Sequence, residues 1–287
     1  MRHLTAFRRS IRVALWLASG ALAAAFADAA AAKPERIVSL NICTDQLLLL
    51  LVEPERIASL SFFARDPEYS ALAARAHGLR TNQGSIEEIL PLAPDLVLAG
   101  TFTTRATVFL LRRLGYRVVE VPPETSFAEA RANIGRVAAA VGEPTRGEAL
   151  IAELDRALGE VRAAAQKPLA AFYWANGFTS GRGTLANAVA EHAGFSNLAA
   201  VRGVRGIAQL PLERLLAAEP DLVILGRRHD GAALANETFL HPALRHFLQA
   251  RTTASVPDSL WVCGTPLLAE AAARLAAARD AALQRQP

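Results

Sequence analysis

The sequence has little cysteine and few aromatic residues, and it lacks the short motifs that mark common enzymes. Two of its 287 residues are cysteines, Cys43 and Cys263, and aromatic residues make up 6%. Two cysteines cannot build a disulfide-rich scaffold, although an oxidising compartment would allow one bridge. There is no G-x-S-x-G, P-loop, H-E-x-x-H or C-x-x-C motif, and the histidines are not at metal-ligand spacing. We therefore expect no enzyme activity, no catalytic residues, no cofactor and no bare metal site.

The chain after residue 27 also lacks an excess of positive or negative charge. The chain has 31 basic and 27 acidic residues, and four of the arginines lie in the first 27 positions, which hold no acid. The remainder therefore carries 27 residues of each sign. A neutral protein has no overall electrostatic attraction for nucleic acid, so we exclude nucleic-acid partners.

Long apolar runs are absent except near the amino end. Four arginines precede an apolar run over residues 13–26, and Ala25-Phe-Ala27 has the pattern of a cleavage site. The run is shorter than the roughly 20 residues of a membrane-spanning helix. We predict a signal peptide at residues 1–27, exported by the general secretory route or the twin-arginine route. No cysteine lies at the cleavage point, so we expect a periplasmic protein without a lipid anchor.

Short apolar runs alternate with amphipathic ones along the rest of the chain. The predicted strands lie at residues 36–40, 56–60, 95–99, 117–121, 169–174, 221–225 and 260–262. The predicted helices lie at residues 45–52, 86–90, 104–114, 184–193, 212–217 and 267–283. This alternation is typical of parallel sheets with helices on their faces.

The middle of the chain is helical. Ser126 and Glu129 form a capping-box pattern that opens a helix to about Val141, and a second such pattern occurs at residues 145–148. Apolar spacing from Leu150 to Val161 predicts one long helix over residues 146–166, ended by Pro168. The predicted organisation is an N-terminal lobe (33–125), a helical connector that includes the long linking helix (126–167) and a C-terminal lobe (168–287).

An internal repeat suggests that the two lobes are alike. Residues 85–100 align without gaps on residues 211–226, at a constant offset of 126 and with seven of sixteen positions identical. Each copy predicts a short helix, a proline turn and a buried strand that ends at glycine. The expected fold class is α/β, with two Rossmann-like lobes of mostly parallel sheet joined by one long α-helix.

Candidate binding residues follow from the strand ends, because ligands of open α/β sheets bind outside the carboxyl ends of the strands. The residues at these ends are Asn41, Cys43, Phe63, Arg65, Phe102, Arg105, Trp174, Asn176, Arg227, Arg228, His229 and Cys263. Aromatic rings suit a large apolar ligand face, and arginines suit carboxylate or catecholate groups. For the two cysteines three states stay open: separate residues, a disulfide across the cleft, or thiols that contact a metal of the ligand.

Several stretches, taken in order, resemble the periplasmic binding proteins for cobalamin and ferric siderophores. They include residues 36–40 with Thr44-Asp45, the unit of Glu87, the long helix, Phe178-Thr-Ser-Gly181 and the unit of Glu213. The resemblance implies a ligand cleft between two lobes. It also implies that Glu87 and Glu213, one on each lobe, dock on the permease dimer of an ABC importer, whereas the residues alone suggest helix-end electrostatics.

The resemblance makes the expected ligand a metal chelate. A ferric siderophore, cobalamin or another corrinoid are the leading candidates, and heme is a third. The protein is expected to act as a monomer. The alternative is an exported α/β enzyme that modifies or releases such a ligand.

Overall fold

The computed structural model describes residues 33–226 and 237–284, and the described chain from Pro34 onward forms one compact unit. The predicted signal peptide at residues 1–27 lies outside the described residues. Among the described residues, no helix is both long and apolar enough to cross a membrane.

The N-terminal lobe contains a five-stranded sheet in the order β3-β2-β1-β4-β5, and all its pairings are parallel. Its strands are β1 (Ile37–Ser39), β2 (Ile57–Ser61), β3 (Thr81–Asn82), β4 (Leu96–Gly100) and β5 (Val118–Val121). The strands β1 and β4 are buried along their whole length, as expected where helices cover both faces of a parallel sheet. Four of the five strands were predicted, whereas β3, with two residues, is too short to give a pattern.

Three helices follow the strands of this lobe: α1 (Ile42–Leu51), α2 (Ile86–Ile89) and α3 (Arg105–Arg113). Helix α1 begins directly after β1 because the side-chain oxygen of Asn41 accepts a hydrogen bond from the N–H of Cys43. Helix α2 begins at a capping box formed by Ser85 and Glu88.

The connector consists of two helices that pack against each other, α4 (Phe127–Ala140) and α5 (Pro144–Gly159). Helix α4 begins at the predicted cap, where the Ser126 hydroxyl accepts from the N–H of Glu129. Two predictions for α5 are wrong. It begins at Pro144 rather than at a capping box over residues 145–148, because proline is favoured in the first turn.

The second correction is that α5 ends at Gly159, seven residues before the predicted end at Gln166. Glycine is a poor helix former, and residues 162 and 163 are exposed, so no core remains for a longer helix to cover. The carbonyl of Arg162 instead accepts a hydrogen bond from the guanidinium of buried Arg279, at 2.9 Å.

The C-terminal lobe contains a four-stranded parallel sheet in the order β11-β10-β6-β8 and a two-stranded antiparallel pair, β7 with β9. Its strands are β6 (Leu169–Tyr173), β7 (Phe178–Ser180), β8 (Ser196–Asn197), β9 (Ile207–Gln209), β10 (Leu222–Leu225) and β11 (Thr252–Ser255). Its described helices are α6 (Leu185–His192), α7 (Leu198–Val201), α8 (Leu212–Ala218), α9 (Glu237–Leu240), α10 (Pro242–Gln249) and α11 (Leu268–Leu283).

The predicted strand at residues 260–262 is wrong. Leu260 ends a 3-10 turn, Asp258–Leu260, residues 261 and 262 follow this turn, and the strand beside β10 is the polar edge strand β11. The turn is stabilised by Asp258, whose carboxylate accepts from the indole N–H of Trp261 at 3.1 Å. Leu260 and Trp261 are buried against the core, which explains their apolar character without a strand.

The internal repeat corresponds to equivalent structure in both lobes. Strands β2, β1, β4 and β5 have the same order in their sheet as β8, β6, β10 and β11. In each repeat the residue before the proline is left-handed, Ala93 with φ 44° and Glu219 with φ 45°. One buried apolar cluster runs through both lobes and the connector, with members such as Leu48, Ile134 and Phe172. The two lobes therefore share a core.

Candidate functional site

The candidate site lies where the carboxyl ends of the strands in the two lobes meet. Two hollows occur there, and each is lined by residues of both lobes. The segment of residues 256–263, after β11, contributes to both hollows. This is the position that the strand-end rule predicts for a ligand cleft.

The larger hollow has a volume of about 440 Å³, within the usual range for small-molecule sites. It is lined by Pro67 and Glu68 of the N-terminal lobe and by Leu225, Gly226, Phe239, Ser255, Val256, Pro257, Asp258 and Ser259 of the C-terminal lobe. Its floor is thus made by the ends of β10 and β11. Its described charged residues, Glu68 and Asp258, are both acidic.

An aromatic cluster lies at the carboxyl end of β2, on the segment that also contributes Pro67 and Glu68 to this hollow. The ring centroids of Phe62 and Phe63 are 3.9 Å apart, and those of Phe63 and Tyr69 are 5.0 Å apart. Phe62 and Tyr69 remain 43% and 41% exposed. Exposed rings beside a cavity present a flat apolar surface to a ligand. Phe63 was predicted as a site residue, whereas Tyr69, which lies beyond the strand end in a turn, was missed.

The smaller hollow, of about 150 Å³, lies at the ends of β1, β4 and β5. It is lined by Asn41, Cys43, Gly100, Thr101, Phe102, Thr103, Val121, Pro122, Pro123, Glu124 and Val262. Asn41 is held by its amide, which donates to the Thr103 hydroxyl at 2.9 Å. Phe102 is 75% exposed, so its ring has most of its surface available to a ligand. Three predicted residues, Asn41, Cys43 and Phe102, are brought together here.

Cys43 and Cys263 form a disulfide that connects the two lobes, across a sequence separation of 220. Their Cα atoms are 5.0 Å apart, within the range that a disulfide requires. Of the three states left open by the sequence, the structure therefore has the bridge, and the bonded sulfurs are not available as thiol ligands. The amide of Gln46 contacts the bridge, because its Nε2 lies 3.8 Å from the Cys263 sulfur, and it also donates to the carbonyl of Tyr69 at 3.3 Å.

The predicted arginines do not converge in the described part of the cleft. The guanidinium of Arg65 donates to the carbonyl of Leu79, and that of Arg105 lies 3.4 Å from the carbonyl of Thr101. Neither arginine lines a hollow. Arg227, Arg228 and His229 lie outside the described residues.

Two predicted residues of the C-terminal lobe follow β6. Trp174 packs edge-on against Phe172 and lies against Gly226, and its buried indole N–H has no hydrogen-bond partner among the described residues. Asn176 is exposed in a tight turn with φ 56°. Neither side chain lines either hollow.

Two carboxyl groups near the cleft, buried Asp45 and half-buried Glu124, were not predicted from the sequence. Burial raises the pKa of Asp45 to about 7, against hydrogen bonds from Ser39 and Ser61 that lower it. Burial also raises the pKa of Glu124, which accepts from the amide of Asn133 at 2.7 Å. Glu124 could have been found, because it follows the predicted strand that ends at Val121.

Glu87 and Glu213 are exposed in the first turns of α2 and α8, as predicted. The capping carboxylate of α2 is that of the neighbouring Glu88. Within the described chain, neither Glu87 nor Glu213 forms an ion pair or a hydrogen bond. Both carboxylates are therefore available to an external cation.

No group of three or more histidine, cysteine, aspartate or glutamate side chains in residues 33–226 and 237–284 is arranged to hold a metal ion. What the arrangement offers is a cleft between two lobes with exposed rings, and this defines a two-lobed α/β binding protein.

Comparison with known proteins identifies the family. The family described as "Periplasmic binding protein" matches residues 37–257, so the chain belongs to the periplasmic binding proteins. The resemblance on which the sequence analysis rested is confirmed. A cobalamin-binding protein of Halobacterium salinarum is 29% identical over 202 residues, which are 68% of this chain and 54% of that protein. The chain thus spans about half the length of the curated relatives that it matches.

Solved structures confirm the fold class. The periplasmic heme-binding protein RhuT from Roseiflexus sp. RS-1 has a TM-score of 0.70 and 25% identity, with 86% of this chain and 99% of that chain covered. The vitamin B12 binding protein BtuF of Vibrio cholerae has a TM-score of 0.67 and 19% identity, with 88% and 99% covered. A periplasmic heme-binding protein from Pseudomonas aeruginosa has a TM-score of 0.68 and 22% identity, with 85% and 92% covered.

Proposed function

We propose that this protein captures a metal chelate in the cleft between its lobes and delivers it to the permease dimer of an ABC importer. The observation that supports this most directly is the larger hollow, together with the exposed rings of Phe62 and Tyr69 on the segment that contributes Pro67 and Glu68 to it. A flat, mostly apolar chelate would cover these rings and gain from their removal from water.

The relatives support the same class of ligand. The curated relative is named for cobalamin, and two of the similar structures are named for heme. Both ligands are large tetrapyrrole-type metal chelates, which exceed the size of a bare ion site and suit a cleft between lobes. A ferric siderophore, which is a metal chelate without a tetrapyrrole ring, is the third ligand that the proposal includes.

A ligand titration tests the proposal and selects among the chelates. Trp261, buried beside the larger hollow, and Trp174 provide fluorescence reporters. Purified protein is titrated with cyanocobalamin, heme and several ferric siderophores, and absorption spectra are recorded before and after release. Saturable 1:1 quenching by a chelate that is released unchanged supports the proposal. Chemical conversion of the ligand would favour the enzyme alternative.

Matched variants show whether the cleft is the site. Tyr69→Ala and Phe62→Ala are expected to weaken binding by about tenfold each, because each ring removes apolar surface from the ligand. Phe109→Ala is the control, because Phe109 is an exposed ring, more exposed than Phe62 and Tyr69, on helix α3 and not on the segment that leads into the larger hollow. Equal effects of all three variants would contradict the assignment of the cleft.

Delivery requires export and docking, and both are part of the proposal. We propose that the protein works as a monomer in the periplasm after removal of residues 1–27, without a lipid anchor. We also propose that Glu87 and Glu213, one on each lobe, contact basic residues on the two permease subunits. Their equivalent places in the two repeats suit a partner with two-fold symmetry.

A further inference from the structure

We infer that the smaller hollow is a subsite for a carboxamide arm of the chelate, with the carboxylate of Glu124 as its hydrogen-bond acceptor. This inference rests on the proposed function, because it assigns the part of the cleft that selects among metal chelates. It makes Glu124 a specificity-determining residue and not a structural one alone.

Glu124 is held in place by contacts from two sides. The amide of Asn133, which is 2% exposed, donates to Glu124 and to the carbonyl of Pro122, each at 2.7 Å. On the other side the main chain of Gly264 packs against the Glu124 side chain and acts to lower the pKa of its carboxyl group. The carboxylate is therefore fixed where the connector, the N-terminal lobe and the C-terminal lobe meet.

The fixed carboxylate still has accepting capacity. A carboxylate offers about four lone-pair positions, and among the described residues the Asn133 amide forms the hydrogen bond to it, at 2.7 Å. The main-chain groups of Gly264 and of Glu124 itself act to lower its pKa. At least one position is left for a donor in the hollow. Burial raises the pKa of this group, which reflects partial loss of water around it. Where water is scarce, an added N–H donor interacts more strongly.

The shape of the hollow suits an arm of a ligand. Its volume of about 150 Å³ corresponds to about five water molecules, which is too small for a macrocycle but sufficient for a short side chain. Its other walls are largely apolar and include Phe102, Pro122, Pro123 and Val262. These walls would pack against the methylene groups of the arm and leave its polar end to Glu124.

The charge of the hollow distinguishes amide arms from acid arms. None of the described residues that line it is a lysine or an arginine, and the acidic Glu129 acts on Glu124 with a charge of the same sign. A carboxamide donates N–H groups to a carboxylate, whereas a carboxylate arm is repelled and offers Glu124 no donor. Corrinoids carry many carboxamide arms, and heme carries two propionates. The subsite therefore favours corrinoids or amidated chelates over their acids.

The test compares the affinities of two forms of each chelate, one with carboxamide arms and one with carboxylate arms. Dissociation constants are measured at pH 8 for cyanocobalamin and its monocarboxylic acids, and for heme and its bis-amide. For the wild-type protein the amide form is expected to bind at least about tenfold more tightly than the acid, the ratio typical of a hydrogen bond to a charged group. This first measurement uses the wild-type protein only.

Two variants then test whether Glu124 causes the preference for the amide form. Glu124→Gln keeps the size of the side chain and an acceptor for Asn133, and it is expected to reduce the amide-to-acid ratio to about twofold. Glu148→Gln removes an equal charge from the exposed surface of the connector, outside the hollow, and is expected to keep the wild-type ratio. Circular dichroism and thermal melts confirm that both variants fold.

The outcomes separate the two proposals. An amide form that binds with an unchanged ratio in Glu124→Gln, or no preference in the wild type, overturns the subsite and leaves the proposed function standing. Binding of ferric siderophores without binding of any amidated tetrapyrrole also overturns the subsite and leaves the proposed function standing. If no chelate binds at all, both proposals are overturned.

Discussion

Asp95 and Asp221 lie 126 positions apart and perform the same task in their two lobes. The carboxylate of Asp95 accepts hydrogen bonds from the N–H groups of Glu35 and Arg36, just before β1. The carboxylate of Asp221 accepts from the N–H of Leu169, at the start of β6. Each aspartate also donates its own N–H to the same segment. Each repeat thus fixes the start of the neighbouring strand.

Removal of either aspartate should destabilise the whole protein. We expect Asp95→Ala and Asp221→Ala to lower the free energy of unfolding by about 1–3 kcal/mol each, because main-chain donors lose a charged acceptor. Asp95→Asn should cost less, because an amide oxygen can still accept. Urea denaturation measures this, with the exposed Glu153→Ala as control. If the aspartate variants match the control, these bonds contribute nothing.

The disulfide predicts a large dependence of stability on oxidation. In the loop-entropy model a bridge that closes about 220 residues stabilises a protein by up to about 5 kcal/mol. We expect Cys43→Ser, Cys263→Ser and the double variant to lose a similar amount, because each removes the same bond. Thiol titration of the denatured, unreduced protein should find no free thiol. Two titratable thiols would contradict the bridge.

The same bond predicts little movement between the lobes when the ligand binds. The bridge between α1 and the segment after Trp261 connects the lobes in addition to the connector. We expect small-angle scattering curves with and without ligand to differ slightly, as for a tilt and not for a hinged clamp. The reduced protein provides the comparison. A compaction in the oxidised protein as large as that of a hinged binding protein would refute this.

Asp45 predicts a fall in stability as the pH rises. Its pKa is about 7 in the folded protein against an ordinary value of 3.8, so the folded state holds a proton that the unfolded state releases between these values. The contribution of this group is therefore complete below about pH 4 and is lost as the pH approaches 7. Asp45→Asn, which cannot ionise, should be more stable relative to the wild type at pH 8 than at pH 5.

Denaturation of both proteins at several pH values checks this, with Asp155→Asn as a control on the exposed surface of α5. An equal difference between wild type and Asp45→Asn at pH 5 and at pH 8 would show that Asp45 does not titrate in this range.

The docking proposal predicts variants that bind but do not transport. Glu87→Ala and Glu213→Ala should leave the chelate affinity unchanged, because neither residue lines a hollow, and should weaken uptake. Loss of a partly desolvated charge pair typically costs about 2–5 kcal/mol of association, so the double variant should be nearly inactive. Uptake assays with Glu148→Ala, an exposed acid of the connector, as control decide this. Full uptake by the double variant would contradict the docking role and leave Glu87 and Glu213 only an electrostatic role at the ends of their helices.

The architecture could be predicted because the buried strands carry a strong local signal. The apolar runs that became β1, β4, β6 and β10 are inner strands, covered on both faces, so composition alone identifies them. Strand β11 was missed because it is polar and lies at an edge, and residues 260–262 were mistaken for a strand because they are buried by a turn. Helix α5 was overextended because its apolar spacing continues to Val161, beyond the last buried turn.

The candidate site could be predicted only where a strand ends in it. The rule of strand ends found Asn41, Cys43 and Phe102, which line the smaller hollow. It did not find Tyr69, whose place beside Phe63 depends on how the chain folds back after the 3-10 turn of residues 62–65. It also overestimated Arg65, because no sequence pattern shows that the carbonyl of Leu79 binds this guanidinium.

The positions of Cys43 and Cys263 in the chain also determine when, during synthesis, the disulfide between them can form. A ribosome makes Cys43 220 positions before Cys263, and the sequence offers it no other cysteine as a partner. The bond can therefore close only after every strand of both sheets has been synthesised, with helix α11 still to follow. A chain arrested before Cys263 has no second cysteine with which Cys43 could form this bridge.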